Sequence, residues 1–117
     1  MSIYWSKNLS NWEPKQALDA ISLAKKSGTL VLGLDKVLDA IKKDKAAFVL
    51  EAVDAGEDGH KKILSAAKDI EIFRLFKSEE LDKELAKDST VHLAFNKGGM
   101  ATMVKEAFIR LASFLGN

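Results

Sequence analysis

The run AAFVLEAV, residues 46–53, constrains the fold more than any other segment. It is apolar at nearly every position, lacks a helical period and lies between the charged KKDK and the polar DAGEDG, so it reads as a strand buried on both faces. Such a strand needs a central place in a sheet with helices covering both sides. A chain of 117 residues with 47% hydrophobic content supports one core of that kind.

The flanking patterns fit. SNWEPKQALDAISLAKKSG offers Ser10 or Asn11 as a cap, Ser10 and Glu13 at capping-box spacing, Pro14 in the first turn, and Ala17, Leu18, Ile21 and Ala24 on one face before Gly28. Thr29 to Leu32 is a short strand, and Leu34, Val37, Leu38 and Ile41 then recur as on a helix. After the central strand, DAGEDGHKKILSAAKD is a turn and a helix with Ile63, Leu64 and Ala67 inward. IEIFRLF alternates as a strand, and SEELDKELAK is a short helix anchored by Leu81 and Leu85. STVHLAF is another strand, NKGG a turn, and the last segment a long helix with Met100, Met103, Val104, Ala107, Phe108, Leu111 and Leu115 inward. Strict alternation predicts the α/β class: a three-layer α/β/α sandwich around a four-stranded mixed sheet. Residues 1–13 are expected to form an N-terminal arm and residues 14–117 a single domain.

Two glycines in GTLVLGLD have the spacing of a phosphate-binding loop. That loop works through a lysine and a serine or threonine after the second glycine, and here Leu34 and Asp35 follow it. Hinges around a strand explain Gly28 and Gly33 better. No cysteine is present, and the two histidines lack ligand spacing, so no metal or other cofactor is expected. His60 reads as a solvated turn residue and His92 as a hydrogen-bonded or half-exposed strand residue. Asp54, Glu57, Asp58 and His60 follow the carboxyl end of the central strand, where open α/β sheets place ligands. No nucleophile accompanies them, and loops that start helices use the same residue types, so the expectation is a protein that is not an enzyme and has no catalytic residues.

Eighteen basic residues against seventeen acidic ones give a formal charge of +1, so any attraction for nucleic acid must be local. Lys25, Lys26, Lys42, Lys43, Lys45, Lys61, Lys62 and Lys97 supply candidates, although pairs at helix ends also complement the helix dipole. Trp5 and Trp12 in the arm could stack on bases, and packing on the domain is the preferred reading. With no 18-residue apolar run or signal-like start, a cytoplasmic protein with no membrane partner is expected.

The segments ALDAISLAKKSGTLVLGLDKVLDAIKKDKAAFVLEAVDAGEDGHKKI and IEIFRLFKSEELDKELAKDSTVHLAFNKGGMATMVKEAF resemble, in order, the two parts of the ribosomal protein L-seven-Ae, L-thirty-e and S-twelve-e superfamily. The pattern is most similar to bacterial proteins of the YlxQ kind, which often follow a YlxR domain. The resemblance implies the same sandwich and binding of structured RNA through the start of the second helix and two nearby loops. It implies a ribosome-associated role or a YlxR-type protein partner. Carried over by position, the RNA-binding residues would be Gly28, Thr29, Gly33, Leu34, Asp35, Lys36, Asp39 and Asp54, with Lys87, Ser89 and Thr90 in the second loop. RNA-binding members usually show Gly, Thr, Asn, Glu and a later Lys along the helix start; here Gly33 is kept, and Leu34, Asp35, Lys36 and Asp39 stand at the other places. Asp35 and Asp39, one turn apart, add negative charge where phosphate would come. The alternative is a protein-interaction module that has kept the fold and lost the RNA contacts, for which an exposed apolar patch around Leu30, Leu32 and Leu34 is expected.

Overall fold

The computed structural model describes residues 13–116. In chain order its elements are α1 (Lys15–Lys26), β1 (Leu30–Leu32), α2 (Leu34–Lys42), β2 (Ala46–Glu51), α3 (Glu57–Ala66), β3 (Glu71–Arg74), α4 (Ser78–Leu85), β4 (His92–Asn96) and α5 (Gly99–Phe114). The expected alternation is present. The proposed cap at Ser10 or Asn11 and the arm with Trp5 and Trp12 lie outside the described residues.

The four strands form one mixed sheet in the order β1-β4-β2-β3. β4 runs antiparallel to both β1 and β2, whereas β3 runs parallel to β2. Every β2 residue except Ala47 is buried, which agrees with its apolar sequence and its interior place in the sheet. Val49 lies between Ala94 of β4 and Ile72 of β3, so side chains of one parity make a continuous row across the sheet.

One side of the sheet carries the thicker core. α1, α4 and α5 bring Ala17, Ala20, Ile21, Ala24, Leu81, Leu85, Val104 and Leu111 onto Phe48, Leu50, Phe73, Leu93 and Phe95. Phe48 stacks on Phe95 with ring centroids 4.7 Å apart, and Phe108 meets Phe48, Phe73, Phe76 and Phe95 edge-on. Burying each such ring contributes about 1.5–3 kcal/mol. The other side is thinner. There α2 and α3 place Val37, Ala40, Ile41, Ile63 and Ala67 over Ala46, Val49 and Ala94.

The helical periods fail near two helix ends. Leu64 is 52% and Leu115 57% exposed, although both were expected to face inward. On α3 only Ile63 is buried, because this helix meets the sheet and α2 along a narrow line. Leu115 follows the last residue of α5 and has passed the end of the core. Thr29 falls one residue before β1, but its carbonyl still accepts from Asn96 N–H at 3.0 Å. No helix among the described residues is long and apolar enough to cross a membrane.

Candidate functional site

β1 is only three residues long and delivers the chain into Gly33 at φ 100°, a left-handed backbone that strains any residue with a side chain. Gly33 N–H donates to the His92 carbonyl at 3.0 Å, and Gly33 C=O accepts from Val37 N–H at 2.9 Å to open α2. Among the described residues no side chain caps this helix start. The N–H groups of Leu34, Asp35 and Lys36, in its first turn, therefore lack an acceptor from within the helix.

Facing them is the loop between α4 and β4. α4 ends at Ala86 in the left-handed conformation (φ 55°), and Ser89 adopts it too (φ 56°). Asp82 holds this turn in place: one carboxyl oxygen accepts from Ser89 N–H at 3.1 Å and the other from Thr90 N–H at 2.7 Å. Hydrogen bonding from the Thr90 side chain, then from the Thr90 and Ser89 amides, holds the Asp82 carboxyl below its ordinary value. The pinned loop and the start of α2 enclose a groove of about 410 Å³. Leu32, Leu34 and Val91 give it apolar walls, and Lys36, Lys87 and Asp88 give it charge. Lys36 and Lys87 are exposed, and neither forms an ion pair with another described residue.

Six of the residues expected at the site meet here: Gly33, Leu34, Lys36, Lys87, Ser89 and Thr90. Asp35 is exposed in the same first turn, and Asp39, one turn further along, pairs with Lys43 at 3.1 Å. Gly28 and Thr29 lie at the far end of β1. Thr29 pairs with Asn96 at one end of β4, whereas Gly33 pairs with His92 at the other. Asp54 is occupied elsewhere, its two oxygens accepting from Ser78 N–H at 2.9 Å and Ser78 Oγ–H at 2.8 Å. Those bonds hold its carboxyl below the ordinary value. Leu30, Leu32 and Leu34 are half-buried, so the exposed apolar patch expected there is not formed.

A second feature was not legible in the sequence. Glu51, the last residue of β2, is fully buried, and three side chains converge on it. One oxygen contacts His60 Nδ1 at 2.6 Å and Arg74 Nε at 2.9 Å; the other contacts His92 Nε2 at 3.0 Å. His60 is thus a half-buried residue of α3 rather than a solvated turn residue, and His92 is the hydrogen-bonded strand residue of the two alternatives expected, buried rather than half-exposed. Glu57 and Asp58 remain exposed in the first turn of α3, so the acidic residues around His60 do not gather into one site. Among the described residues no group of three His, Cys, Asp or Glu side chains is spaced to hold a metal ion.

Comparison with known proteins places this geometry in context. No curated protein matches the sequence at a significant level. Among solved structures, a protein of unknown function from Bacillus halodurans C is similar with a TM-score of 0.74 and 20% identity, over 80% of this chain and 97% of that one. A Giardia lamblia 15.5kD RNA binding protein is similar with a TM-score of 0.66 and 18% identity, over 88% of this chain and 91% of that one. Both share the fold. The family model described as Ribosomal protein L7Ae/L30e/S12e/Gadd45 family matches residues 15–112, nearly the whole of the described fold, and the chain belongs to that family.

Proposed function

We propose that the protein binds structured RNA, without catalysis, through the groove between the start of α2 and the loop 87–91. The observation that carries this reading is the pairing, among the described residues, of an uncapped helix start with two lysines that form no ion pair, Lys36 and Lys87, across an apolar-walled groove. Helix-start amides and lysines suit phosphate oxygens, while Leu32, Leu34 and Val91 can cover an unstacked base. Family membership and the likeness to an RNA binding protein of known structure support the same reading. A cytoplasmic role on the ribosome or in RNA metabolism, alone or with a YlxR-type protein, belongs with this proposal.

The protein-interaction alternative has less support. Its expected apolar patch is half-buried, with Leu32 and Leu34 built into the groove wall. The test is fluorescence anisotropy with a bulged stem-loop RNA over a salt series. Affinity is expected to fall steeply with salt, and Lys36→Glu to weaken binding and flatten the log–log slope by about 1. Binding that ignores salt, or a Lys36→Glu protein that binds as wild type, would count against the groove.

A further inference from the structure

We infer that Glu51 is the positioning residue of this groove: through His92 it fixes the backbone junction at Gly33 from which α2 starts. The inference rests on the RNA-binding reading for its consequence, but its geometry stands independently. Glu51 lies opposite His92 in the antiparallel β2–β4 pair and opposite Arg74 in the parallel β2–β3 pair. These residues form the next row of the sheet beyond Ala94, Val49 and Ile72, on the face that α2 and α3 cover. Gly33 extends that row, because its N–H donates to the His92 carbonyl. A single carboxylate therefore ties together the rims of β2, β3 and β4 and, through His60, the first turns of α3.

The chemistry of the cluster is directional. A carboxylate paired with Arg74 only accepts, so His60 donates from Nδ1 and His92 from Nε2. His92 Nδ1 is buried and has no partner among the described residues, so the bond to Glu51 is the one hydrogen bond that orients the ring among them. Packing locks the same ring from the other side. A Cβ on Gly59 would lie 2.8 Å from His92 Cε1, so a glycine is what lets α3 come this close to the ring, while Leu34 Cδ2, at 3.7 Å, would be in ordinary contact. The chain of hydrogen bonds runs from Glu51 to the His92 ring, and from the His92 carbonyl to the Gly33 N–H at the groove.

Glu51→Gln tests this link with little change in volume. Glutamine offers one accepting atom and one donating group where three donors converge, so whichever way it turns, a donor faces a donor unless an imidazole moves its proton. Gly59→Ala tests it independently by pushing the His92 ring without altering any polar group. The readouts are amide hydrogen exchange of the free protein, the imidazole nitrogen shifts of His92, and affinity of the full chain for a bulged stem-loop RNA over a salt series. In both variants the Gly33 amide is expected to exchange faster relative to amides of α1 and α5, and RNA affinity to fall by roughly tenfold, the lower end of the loss found at metal sites when the partner that orients a ligating side chain is removed. The salt slope should stay unchanged, since no phosphate contact is removed. In Glu51→Gln the His92 nitrogen shifts should move as well.

Gly33 exchange and RNA affinity at wild-type levels in both variants would overturn the inference. So would a uniform rise in exchange across the whole chain, which marks a purely structural carboxylate. If Glu51→Gln does not fold, Gly59→Ala decides. If the wild-type protein binds no RNA, the functional proposal fails, and exchange at Gly33 still decides the role of Glu51.

Discussion

Two helix starts in this molecule are built in opposite ways. At α4, Asp54 reaches across from the loop after β2 to take Ser78 N–H and Oγ–H, and Glu80 Oε1 accepts from Lys77 N–H at 2.8 Å. The Lys77 and Ser78 amides at this start are satisfied from within the protein. At α2, no side chain among the described residues caps the helix, the preceding residue is a glycine, and the first turn borders a groove lined by Lys36 and Lys87. A sealed start stabilises the fold and leaves nothing for a ligand. An open start gives up that local gain and keeps polar groups for an outside partner. α3 and α5 also start after a glycine with no capping bond from it. What sets α2 apart as the proposed functional end is its groove, whose Lys36 and Lys87 form no ion pair with another described residue, whereas Lys97 and Lys105 near the start of α5 pair with Asp44 and Glu71.

The largest expected effect breaks the open side. Lys36→Glu combined with Lys87→Glu reverses both charges flanking the groove, and affinity for a bulged stem-loop RNA should fall at least about a hundredfold at 0.15 M salt. Lys77→Glu combined with Lys83→Glu, around the sealed helix, should change affinity by no more than about twofold, since it alters only surface charge away from the groove. Equal losses from the two pairs would mean that RNA follows general charge and that the contrast between the helix starts carries no function.

Asp54→Ala probes the sealed side and should separate stability from binding. The variant loses both bonds to Ser78, so its melting temperature is expected to drop while RNA affinity stays near wild type. A fall in affinity with the fold intact would return Asp54 to the binding surface, where position within the family had placed it. Thr29→Ala asks the same question of the far end of β1. Its hydroxyl meets only Ser27 Oγ, at 2.8 Å, among the described residues, and the expected change in affinity is about twofold or less.

These cases show how far the sequence could be read. Helical period, alternation and short apolar runs bounded by polar or glycine flanks together located all nine elements. Gly33 was legible since a turn between a strand and a helix needs its backbone freedom. The loop from Lys87 to Thr90 carries no periodic signal and was found only through resemblance. Glu51, His60, Arg74 and His92 could not be paired from sequence. Glu51 is a single acidic residue in an otherwise apolar strand, and its partners come from α3, β3 and β4, the last two brought opposite it by the register of the sheet. Gly59 was equally silent: a glycine inside a helix says that something approaches closely, but not what.

The smallest effect concerns the loop that closes the groove. Asp82 holds the Ser89 and Thr90 amides, and its carboxyl is held below the ordinary value of 3.8 by those bonds and by the Thr90 side chain. A carboxyl whose folded pKa is depressed binds its proton more readily when the chain is unfolded. Its stabilisation is therefore complete above 3.8 and is lost as the pH falls below that value through the lower folded one. Amide exchange at Ser89 and Thr90, corrected for the intrinsic pH dependence of exchange, should hold steady from neutrality down to about pH 4 and rise only in stronger acid. Asp82→Asn should exchange faster at those two positions at neutral pH and show no further acid step there. Asp54 titrates in the same direction for the same kind of reason, but its loss should appear at Ser78. If acid loosened Ser78 and the loop 87–91 together in the Asp82→Asn protein, the two regions would not be separable, and the groove wall would depend on the α4 cap rather than on its own carboxylate.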